Sequence, residues 1–282
     1  MPCYYSNASL PDCLESLRGQ TIASHEVIVV DSTPDDDSVL TLGAGDPRVR
    51  IHHHTSRLGA HAARNFGARL ATGEYLAFLD PDMIAAPDWL AELDAAHRKG
   101  QAVVGGGVDC PPHYWARAVH ITKYGWWLTG GQPRERAQLP SGNLSLPRAL
   151  FEEMGGFPDR FWEGDTELSY RLRARGYALW HVPAARTRHF DVPTWRGFLR
   201  ERWLRGADTG QARRCRNAWP AIECWLRVAA SPATWLVMMG RSAAHAFRSG
   251  WAAVWLASSP VVGIGLAAWI AGECEAFRGG KR

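Results

Sequence analysis

Two aspartates separated by a proline, Asp80 and Asp82, are the residues of this chain best placed to do chemistry. They follow the apolar run 74–79, which predicts a buried strand. Carboxylates at the C-terminal end of a strand lie where α/β sheets bind ligands, and their oxygens suit a divalent cation. Two aspartates around a proline are also common in a solvated turn. Whether Asp80 and Asp82 form a cation site or a solvated turn therefore has to be inferred from the rest of the sequence.

Two further aspartates lie at predicted element ends. Asp31 follows the β-branched run 26–30, which predicts another strand. Asp165 begins a predicted helix over 165–175, where the helix dipole favours a carboxylate. Asp165 is a candidate general base, although acidic residues at this position also act simply as helix caps.

Strand and helix patterns alternate over the first two thirds of the chain. The predicted strands lie at 26–30, 49–51, 75–79, 102–104 and 177–182, and the predicted helices at 60–71, 147–154 and 165–175. Residues 113–140 predict a helix followed by a mobile loop. The alternation favours an α/β fold with a mainly parallel sheet flanked by helices.

The composition changes after about residue 217. Residues 251–272 contain no Asp, Glu, Lys or Arg. As a helix they would span about 33 Å, roughly one hydrocarbon core. We therefore predict a first part over 1–216 and a C-terminal hydrophobic helical extension over 217–282 that associates with a membrane. The alternative is a soluble helical pair packed on the first part.

Composition restricts the partners. The six cysteines are scattered and include no C-x-x-C pair, which argues against a zinc site or a disulfide framework and fits a reducing compartment. The net charge of +4 is mild, but nine arginines and no lysine lie between 186 and 216. Such a cluster suits phosphates or anionic headgroups, or forms a solvated basic helix face. No secretory signal pattern follows Met1, and no nucleic-acid partner is predicted.

Four blocks of residues, in this order, resemble the inverting family-2 glycosyltransferases, which have the nucleotide-sugar-binding GT-A fold. The blocks are Pro2-Cys3-Tyr4-Tyr5, then Val29-Val30-Asp31-Ser32, then Arg64-Asn65-Phe66-Gly67 through Gly73-Glu74-Tyr75 to Leu79-Asp80-Pro81-Asp82, and finally Gly142-Asn143-Leu144, Gly155-Gly156-Phe157 and Asp165-Thr166-Glu167-Leu168. The resemblance covers residues 2 to about 203. It implies a GT-A fold over the predicted first part.

The resemblance also implies an activity. The enzyme would be a metal-dependent inverting hexosyltransferase that moves one sugar from a nucleotide-diphosphate donor to a hydroxyl acceptor. The acceptor would be a saccharide or a lipid- or polyprenyl-linked molecule. This would place it in cell-envelope glycan synthesis on the cytoplasmic side of the membrane. The resemblance assigns Asp82, Asp80 and His189 to Mn²⁺ or Mg²⁺, assigns Pro2, Tyr4, Asp31, Arg64, Asp80 and Arg202 to the donor, and makes Asp165 the base.

The chain departs from the family pattern at four places. Met1 lies where the first strand should be ending, so that strand is expected to be truncated. Ser32 replaces the second aspartate of V-D-D, and Gly164 replaces the glutamate of E-D. Leu199 replaces the glutamine of Q-x-x-R-W, which argues against processive polymer synthesis. Two alternatives stay open: a non-catalytic membrane-associated nucleotide-binding scaffold, and a nucleotidyltransferase.

Overall fold

The computed structural model describes residues 1–34, 38–43, 45–158, 164–190 and 193–279. Within these residues the chain forms two compact units. The first unit takes its described residues from 1–109, 132–158 and 164–190, and the second from 110–131 and 193–279.

The strands are β1 (Pro2–Cys3), β2 (Val27–Asp31), β3 (Val49–His53), β4 (Tyr75–Leu79), β5 (Met83–Ala85), β6 (Val103–Asp109), β7 (Arg134–Glu135), β8 (Asn143–Pro147) and β9 (Leu179–His189). The α-helices are α1 (Leu10–Arg18), α2 (Ala60–Leu70), α3 (Trp89–Arg98), α4 (Tyr114–Tyr124), α5 (Arg148–Glu153), α6 (Gly164–Ala174), α7 (Trp195–Asn217), α8 (Ala221–Ala229), α9 (Ser231–Arg248) and α10 (Ala252–Phe277). A 3-10 helix covers Ser38–Gly43.

The strands of the first unit form two sheets. One is parallel throughout, in the order β1-β2-β3. The other has the order β4-β8-β6-β9-β5, with β7 also paired to β9. Only β6 and β9 run parallel in that second sheet. The predicted α/β class is confirmed. The antiparallel pairs were not predicted, because the apolar pattern of a single strand does not disclose the direction of its neighbours.

Three strands are longer than their predictions, and the run predicted as 49–51 continues as β3 to His53. The run predicted as 102–104 extends as β6 to Asp109 through three glycines, and 177–182 extends as β9 to His189. A Cβ added at Gly106 would lie 2.0 Å from the Ala185 carbonyl oxygen, so the backbones of β6 and β9 approach closely there. His189 is therefore the last residue of β9, which corrects its predicted place after a shorter strand.

Asn143 joins several elements in the core of the first unit. Its side chain is completely buried. The Nδ2 atom lies 3.1 Å from the Ala185 oxygen and 3.1 Å from Oγ1 of Thr187, both in β9. Its Oδ1 atom accepts a hydrogen bond of 2.9 Å from Nε1 of Trp89 in α3. Since a buried amide is stable only when bonded, Asn143 fixes β8 against these neighbours.

The second unit is helical. Thr194 caps α7 by accepting a hydrogen bond of 3.2 Å from the Gly197 N–H. Glycines on α7 and α10 let these helices approach closely, because a Cβ added at Gly272 would lie 2.0 Å from the Trp203 oxygen and one at Gly206 would lie 1.8 Å from the Trp269 oxygen. The packing of this unit therefore depends on glycines at the contact between the two helices as well as on apolar side chains.

The described part of the predicted C-terminal extension contains the three helices α8, α9 and α10. Within the described residues, α10 is long and apolar enough to cross a membrane, with a mean hydropathy of 1.7 in its most apolar window. In that window 28% of the residues are buried. Large apolar side chains are also exposed on α8 and α9, including Trp225 at 55% and Leu236 at 65%.

Candidate active site

Asp80 and Arg64, both predicted to bind the donor, contact each other in the first unit. Asp80 follows β4, and its Oδ1 atom pairs with Nη2 of Arg64 from α2. The Arg64 side chain is only 5% exposed, whereas that of Asp80 is 26% exposed. A guanidinium this deeply buried needs an anionic partner, because an isolated charge is costly away from water. Oδ1 of Asp80 therefore neutralises the buried guanidinium of Arg64. The exposed part of the carboxylate remains accessible to a ligand.

The segment 141–143 borders both Asp80 and Asp165. A Cβ added at Gly142 would lie 2.5 Å from Oδ2 of Asp80, so only glycine lets the backbone pass this carboxylate. One residue earlier, the Ser141 N–H donates a hydrogen bond of 3.2 Å to Oδ2 of Asp165. Two carboxylates that are far apart in the sequence thus lie against the same short segment.

Asp165 lies in the first turn of α6 and is half-buried. Its Oδ1 atom accepts a hydrogen bond of 2.8 Å from the Thr166 N–H, and its Oδ2 atom accepts the one from Ser141. Each carboxylate oxygen can accept two hydrogen bonds, so each has capacity beyond these. The N–H groups orient the side chain, and the remaining capacity is what a base needs to receive a hydroxyl proton. Glu163, its acidic neighbour in the sequence, lies outside the described residues.

His61 of α2 connects the Asp80–Arg64 pair to the start of α6. The Gly164 N–H donates a hydrogen bond of 3.1 Å to Nε2 of His61, and Nη1 of Arg64 lies 3.4 Å from Nδ1. A backbone N–H can only donate, so Nε2 is the acceptor and a neutral ring carries its proton on Nδ1. The approach of Arg64 is then a contact rather than a hydrogen bond. The ring also stacks on Phe157, with centroids 5.0 Å apart.

The ring of His61 explains one departure from the family pattern. A Cβ added at Gly164 would lie 2.6 Å from Cδ2 of His61. The imidazole therefore fills the space that any larger residue at 164 would need. Gly164 stands where the family has the glutamate of its E-D pair, so this substitution matches the local packing.

Asp82 and His189, both predicted metal ligands, lie side by side. Oδ2 of Asp82 is 3.2 Å from Nε2 of His189. The pairing of β5 with β9 places Met83 opposite His189, which brings the end of β9 to Asp82. The Phe190 N–H also donates a hydrogen bond of 3.1 Å to the Asp82 carbonyl oxygen. The Asp82 side chain is 34% exposed and that of His189 is 8% exposed.

This pair fits only part of a cation site. In the stretches that the structure describes, no group of three or more His, Cys, Asp or Glu side chains is placed to hold a metal ion. Asp80 pairs with Arg64 through one oxygen, and its place in the predicted three-ligand set with Asp82 and His189 stays a prediction. A carboxylate and an imidazole still suit a cation whose other ligands are phosphate oxygens and water, as is usual for Mg²⁺. The residues present fit a cation that binds together with a diphosphate.

Asp31 ends β2 and is 1% exposed. Its Oδ1 atom accepts a hydrogen bond of 2.9 Å from Oγ1 of Thr33, and its Oδ2 atom lies 2.7 Å from Nδ1 of His53. Oγ1 of Thr33 in turn accepts a hydrogen bond of 2.9 Å from the Tyr5 N–H. These contacts hold the loop after β1 against the end of β2. Any hydrogen bond that Asp31 accepts from a nucleotide base has to compete with these contacts.

Pro2 and Tyr4, predicted to contact the donor, lie in and just after β1. Pro2 is buried, whereas Tyr4 is 40% exposed. The guanidinium carbon of Arg57 lies 4.6 Å from the centroid of the Tyr4 ring, a cation–π contact. Together they form a partly exposed aromatic and cationic surface near the end of β2.

The buried thiol of Cys3 is affected by the carboxylates at the C-terminal ends of β2 and β4. Burial raises the pKa of Cys3 to about 12; the positive N-terminus opposes this shift, and the carboxylates of Asp31 and Asp80 add to it. Charges affect a buried group strongly only over short distances. The carboxylates that follow β4 and end β2 therefore both lie near Cys3 of β1.

Arg202 lies in α7 of the second unit and is 8% exposed. It contacts Glu201 at 3.3 Å. Burial alone would raise the pKa of Glu201, but the nearby cations Lys123, Arg202 and Arg205 lower it to about 2. Arg202 thus has a carboxylate partner within its own unit, and its contact with the donor stays a prediction.

Three residues of the site were missed by the sequence analysis: His61, Ser141 and His53. His61 precedes Arg64 by three residues on a predicted helix, so both side chains lie on one face. That spacing was a usable signal. Ser141 acts through its backbone N–H, which no side-chain pattern discloses.

Comparisons with known proteins identify the family of this chain. The model of the family described as glycosyl transferase family 2 matches residues 1–149. Validoxylamine A glucosyltransferase of Streptomyces hygroscopicus is 31% identical over 218 residues, which are 64% of this chain and 48% of the relative. The glucosyl-dolichyl phosphate glucuronosyltransferase of Haloferax volcanii is 31% identical over 168 residues, 55% of this chain and 54% of the relative. The chain thus spans about half the length of these two proteins.

Solved structures support the fold. The Pyrobaculum calidifontis mannosyltransferase PcManGT, in complex with GDP-Man and Mn²⁺, has a TM-score of 0.57 and 20% identity and covers 92% of this chain and 84% of that one. GalNAc-T7 with UDP, GalNAc and Mn²⁺ has a TM-score of 0.56 and 17% identity, over 75% of this chain and 49% of that one. These neighbours establish a GT-A fold. Because the family model also matches more than half of its residues, this chain belongs to glycosyl transferase family 2.

Proposed function

We propose that this protein transfers one sugar from a nucleotide-diphosphate sugar to a hydroxyl acceptor, with inversion at the anomeric carbon. The observation that carries the proposal is the meeting of Asp80 and Asp165 at the segment 141–143. Transfer needs a place for the diphosphate and a base for the acceptor within one pocket. The C-terminal end of β4, with Asp80, is the proposed place for the diphosphate, and the first turn of α6, with Asp165, is the proposed source of the base.

Asp165 is the proposed base. Its carboxylate would take the proton from the acceptor hydroxyl as that oxygen forms a bond to the anomeric carbon. The bond from this carbon to the diphosphate oxygen breaks on the opposite face, and the nucleoside diphosphate leaves with the electron pair. The N–H groups of Ser141 and Thr166 hold the carboxylate in place during this step.

Asp82 and His189 are the proposed holders of Mn²⁺ or Mg²⁺, with Asp80 beside them as a donor-binding residue. Such a cation, when bound, neutralises the charge that develops on the leaving diphosphate. Asp82 has the exposure that a shared ligand requires. Two neighbours of similar fold were solved with Mn²⁺, which supports this assignment.

On the donor side, Asp31, Pro2, Tyr4 and Arg64 are proposed contacts. Tyr4 and Arg57 offer a ring face and a positive charge near the end of β2, which suits a nucleotide. Arg64 is also proposed to set the position of Asp80 through their ion pair. Arg202 of α7 is a further proposed donor contact, as the family resemblance implies.

The acceptor and the location follow less directly. One relative has a name that includes a dolichyl phosphate sugar, so we propose a lipid- or polyprenyl-linked acceptor. A protein with such a substrate would work at a membrane surface. The apolar helix α10 and the exposed side chains of α8 and α9 support a membrane location. The cytoplasmic side is proposed from the family resemblance alone.

The substitution Asp165→Asn tests the proposed base. Asparagine can still cap α6, so the variant should fold and bind the donor as the wild type does. Transfer should fall by about 10²–10⁴-fold, because the amide cannot accept the hydroxyl proton. The measurements are calorimetry for donor binding and nucleoside diphosphate release for transfer, using a panel of nucleotide sugars with Mn²⁺.

Glu167→Gln is the matched control, since it removes the same charge from the same helix turn. It should retain transfer within a few-fold. If Asp165→Asn transfers sugar as fast as the wild type, Asp165 is only a cap. If the wild type binds a nucleotide sugar but transfers none, the alternative of a non-catalytic nucleotide-binding scaffold gains support.

A further inference from the structure

Helix α8 of the second unit turns its apolar face outward. Ile222, Trp225 and Leu226 are each more than half exposed, and their spacing of three and four residues places them on one face of the helix. Cys224, on the opposite face, is buried. A surface helix of a soluble protein has the reverse arrangement, with its apolar stripe packed inward. The outward face of α8 therefore suits apolar surroundings.

Helix α9 repeats this arrangement over a greater length. Leu236, Val237 and Phe247 are more than half exposed. The opposite face packs inward, where Nε1 of Trp235 donates a hydrogen bond of 2.8 Å to the Gly263 oxygen of α10. Since α8 and α9 are consecutive in the chain, their exposed side chains form more than an isolated apolar spot. Apolar surface of this extent marks a site of interaction.

The charges beside these faces are mainly basic. Arg241 and Arg248 are exposed, and α9 contains no Asp or Glu. Being seven residues apart, or nearly two turns, the two arginines lie along the same flank of the apolar face. A basic flank beside an apolar face complements anionic headgroups above hydrocarbon. A second copy of α9 would offer these arginines no carboxylate, so a lipid surface is the better match.

Helix α10 is long enough to cross a membrane, but it is packed against α4 and α7. A Cβ added at Gly265 would lie 2.6 Å from Cζ of Phe198 in α7 and 2.7 Å from Cγ2 of Thr122 in α4. Gly265 lies at the middle of α10. If α10 crossed a bilayer within this fold, parts of α4 and α7 would therefore enter the hydrocarbon with it.

Those parts of α4 and α7 carry charged side chains. Lys123 follows Thr122 in α4, and its Nζ atom lies 3.1 Å from Oε2 of Glu201 in α7. Glu201 also contacts Arg202 and Arg205, each at 3.3 Å. Charged groups of this kind are costly at the centre of a bilayer. Crossing would thus require α4 and α7 to leave α10, whereas α8 and α9 expose their apolar faces without any rearrangement.

We propose that the second unit enters one leaflet of an anionic membrane, with α8 and α9 lying in the membrane plane and α10 remaining in the protein without crossing the bilayer. The outward side chains of α8 and α9 then lie about 5–10 Å into the boundary between headgroups and acyl chains. Arg241 and Arg248 bind headgroup phosphates. This inference rests on the proposed membrane location, and it does not depend on the transfer chemistry.

Cysteine accessibility tests whether α10 crosses. In a Cys215→Ser background, which removes the exposed cysteine, Asp12→Cys in the first unit and Arg278→Cys after α10 each introduce one exposed thiol. Right-side-out and inverted membrane vesicles from a bacterial expression host are treated with a membrane-impermeant maleimide. Both variants should be labelled in the same vesicle preparation. Labelling in opposite preparations would overturn the proposal, because α10 then crosses the bilayer.

The double change Arg241→Gln and Arg248→Gln tests the headgroup contact. It should weaken binding to vesicles of phosphatidylcholine and phosphatidylglycerol at least about tenfold, because two charges leave the lipid surface. Arg98→Gln with Arg175→Gln is the matched control, since both arginines are exposed in the first unit. The control should bind as the wild type does. Wild-type affinity of the α9 variant for these vesicles would contradict the proposal.

A fluorescent label on Leu236→Cys measures the depth of α9 and identifies other occupants of its apolar face. Lipids with a nitroxide near the headgroup should quench the label more than lipids with a nitroxide near the bilayer centre. Stronger quenching from the centre would overturn the in-plane position. Dimerisation in light scattering that shields the label without lipid would identify a second copy instead. A protein that binds no vesicles would remove the membrane location as well, while leaving the proposed sugar transfer unaffected.

Discussion

At the scale of single residues, close contacts that only glycine permits position the carboxylates. The backbone at Gly142 lies so close to the Asp80 carboxylate, and the backbone at Gly164 so close to the ring of His61, that a Cβ atom would overlap them. His61 is itself held by stacking on Phe157, so it cannot move aside freely. The start of α6, and with it Asp165, is located by packing as well as by hydrogen bonds.

We predict that Gly164→Ala destabilises the protein by about 1–3 kcal/mol, because the added methyl group overlaps the ring of His61. In a His61→Ala background the same change should cost much less, since the ring is absent. Urea unfolding of the two single variants and the double variant measures this coupling.

Gly59→Ala is the control for this cycle, because a Cβ at Gly59 meets nothing within 4 Å. It should change stability by less than about 1 kcal/mol. Equal costs of Gly164→Ala with and without the His61 ring would contradict the proposed packing.

At this scale the sequence predicted which side chains are candidates for the site, but it did not predict the backbone groups that contact them. The types and positions of Asp31, Asp82 and Asp165 were enough to identify candidate site residues. The pairing of Asp80 with Arg64 was not predicted, because a lone arginine on a helix gives no sign of its partner. The N–H of Ser141 was equally hidden, since every residue except proline has one.

At the scale of elements, the packing of α7 against α10 depends on backbone approach. A Cβ at Gly272 would lie 2.0 Å from the Trp203 oxygen and 2.8 Å from the Ala207 nitrogen. Neither neighbour is a side chain that can rotate away. Adding a methyl group must therefore separate the helices or distort one of them.

We predict that Gly272→Ala destabilises the protein by about 3 kcal/mol, in spite of the higher helix propensity of alanine. Gly240→Ala on α9 is the matched control, because a Cβ there meets nothing within 4 Å. It should be neutral or stabilising by up to about 1 kcal/mol. Thermal and urea unfolding measure both, and equal stabilities of the two variants would rule out this packing account.

Strand boundaries were predicted least well where a strand contains glycine or proline, which have a low preference for strands. β6 continues through three glycines and β9 through Pro183, residues that usually end a strand. Their partners compensate, because Asn143 and the Ala185 oxygen occupy the space that glycine side chains leave. Such compensation comes from distant parts of the chain and is absent from any local pattern.

At the scale of the whole molecule, the exposed apolar side chains of α8 and α9 are the basis for the proposed membrane location. We predict that the double change Trp225→Ser and Leu236→Ser reduces flotation with anionic phospholipid vesicles at least about tenfold, since each side chain contributes about 2 kcal/mol when buried in lipid. Both are more than half exposed, so folding should be preserved.

Leu40→Ser provides the control, because Leu40 is an exposed leucine of the first unit. It should leave flotation unchanged. A wild-type protein that does not float with vesicles would remove the basis for the membrane proposal.

The fold as a whole was predictable because its signals repeat along the chain. Several strands and helices each supplied a pattern, and four motifs appeared in one order, so errors at single elements did not matter. The mixed direction of the second sheet and the division into two units depend on contacts between distant segments. Those contacts leave no local trace in composition or periodicity.

Cation-dependent nucleotide binding at Asp82 tests the central claim most directly. Calorimetry should show that the wild type binds UDP or GDP in the presence of Mn²⁺ and loses that binding after EDTA. Asp82→Ala should weaken binding at least about tenfold, because a charged ligand to the cation is removed. The exposed Asp12 of α1 provides a control, and Asp12→Ala should bind as the wild type does. Nucleotide binding that neither EDTA nor Asp82→Ala alters would contradict the account.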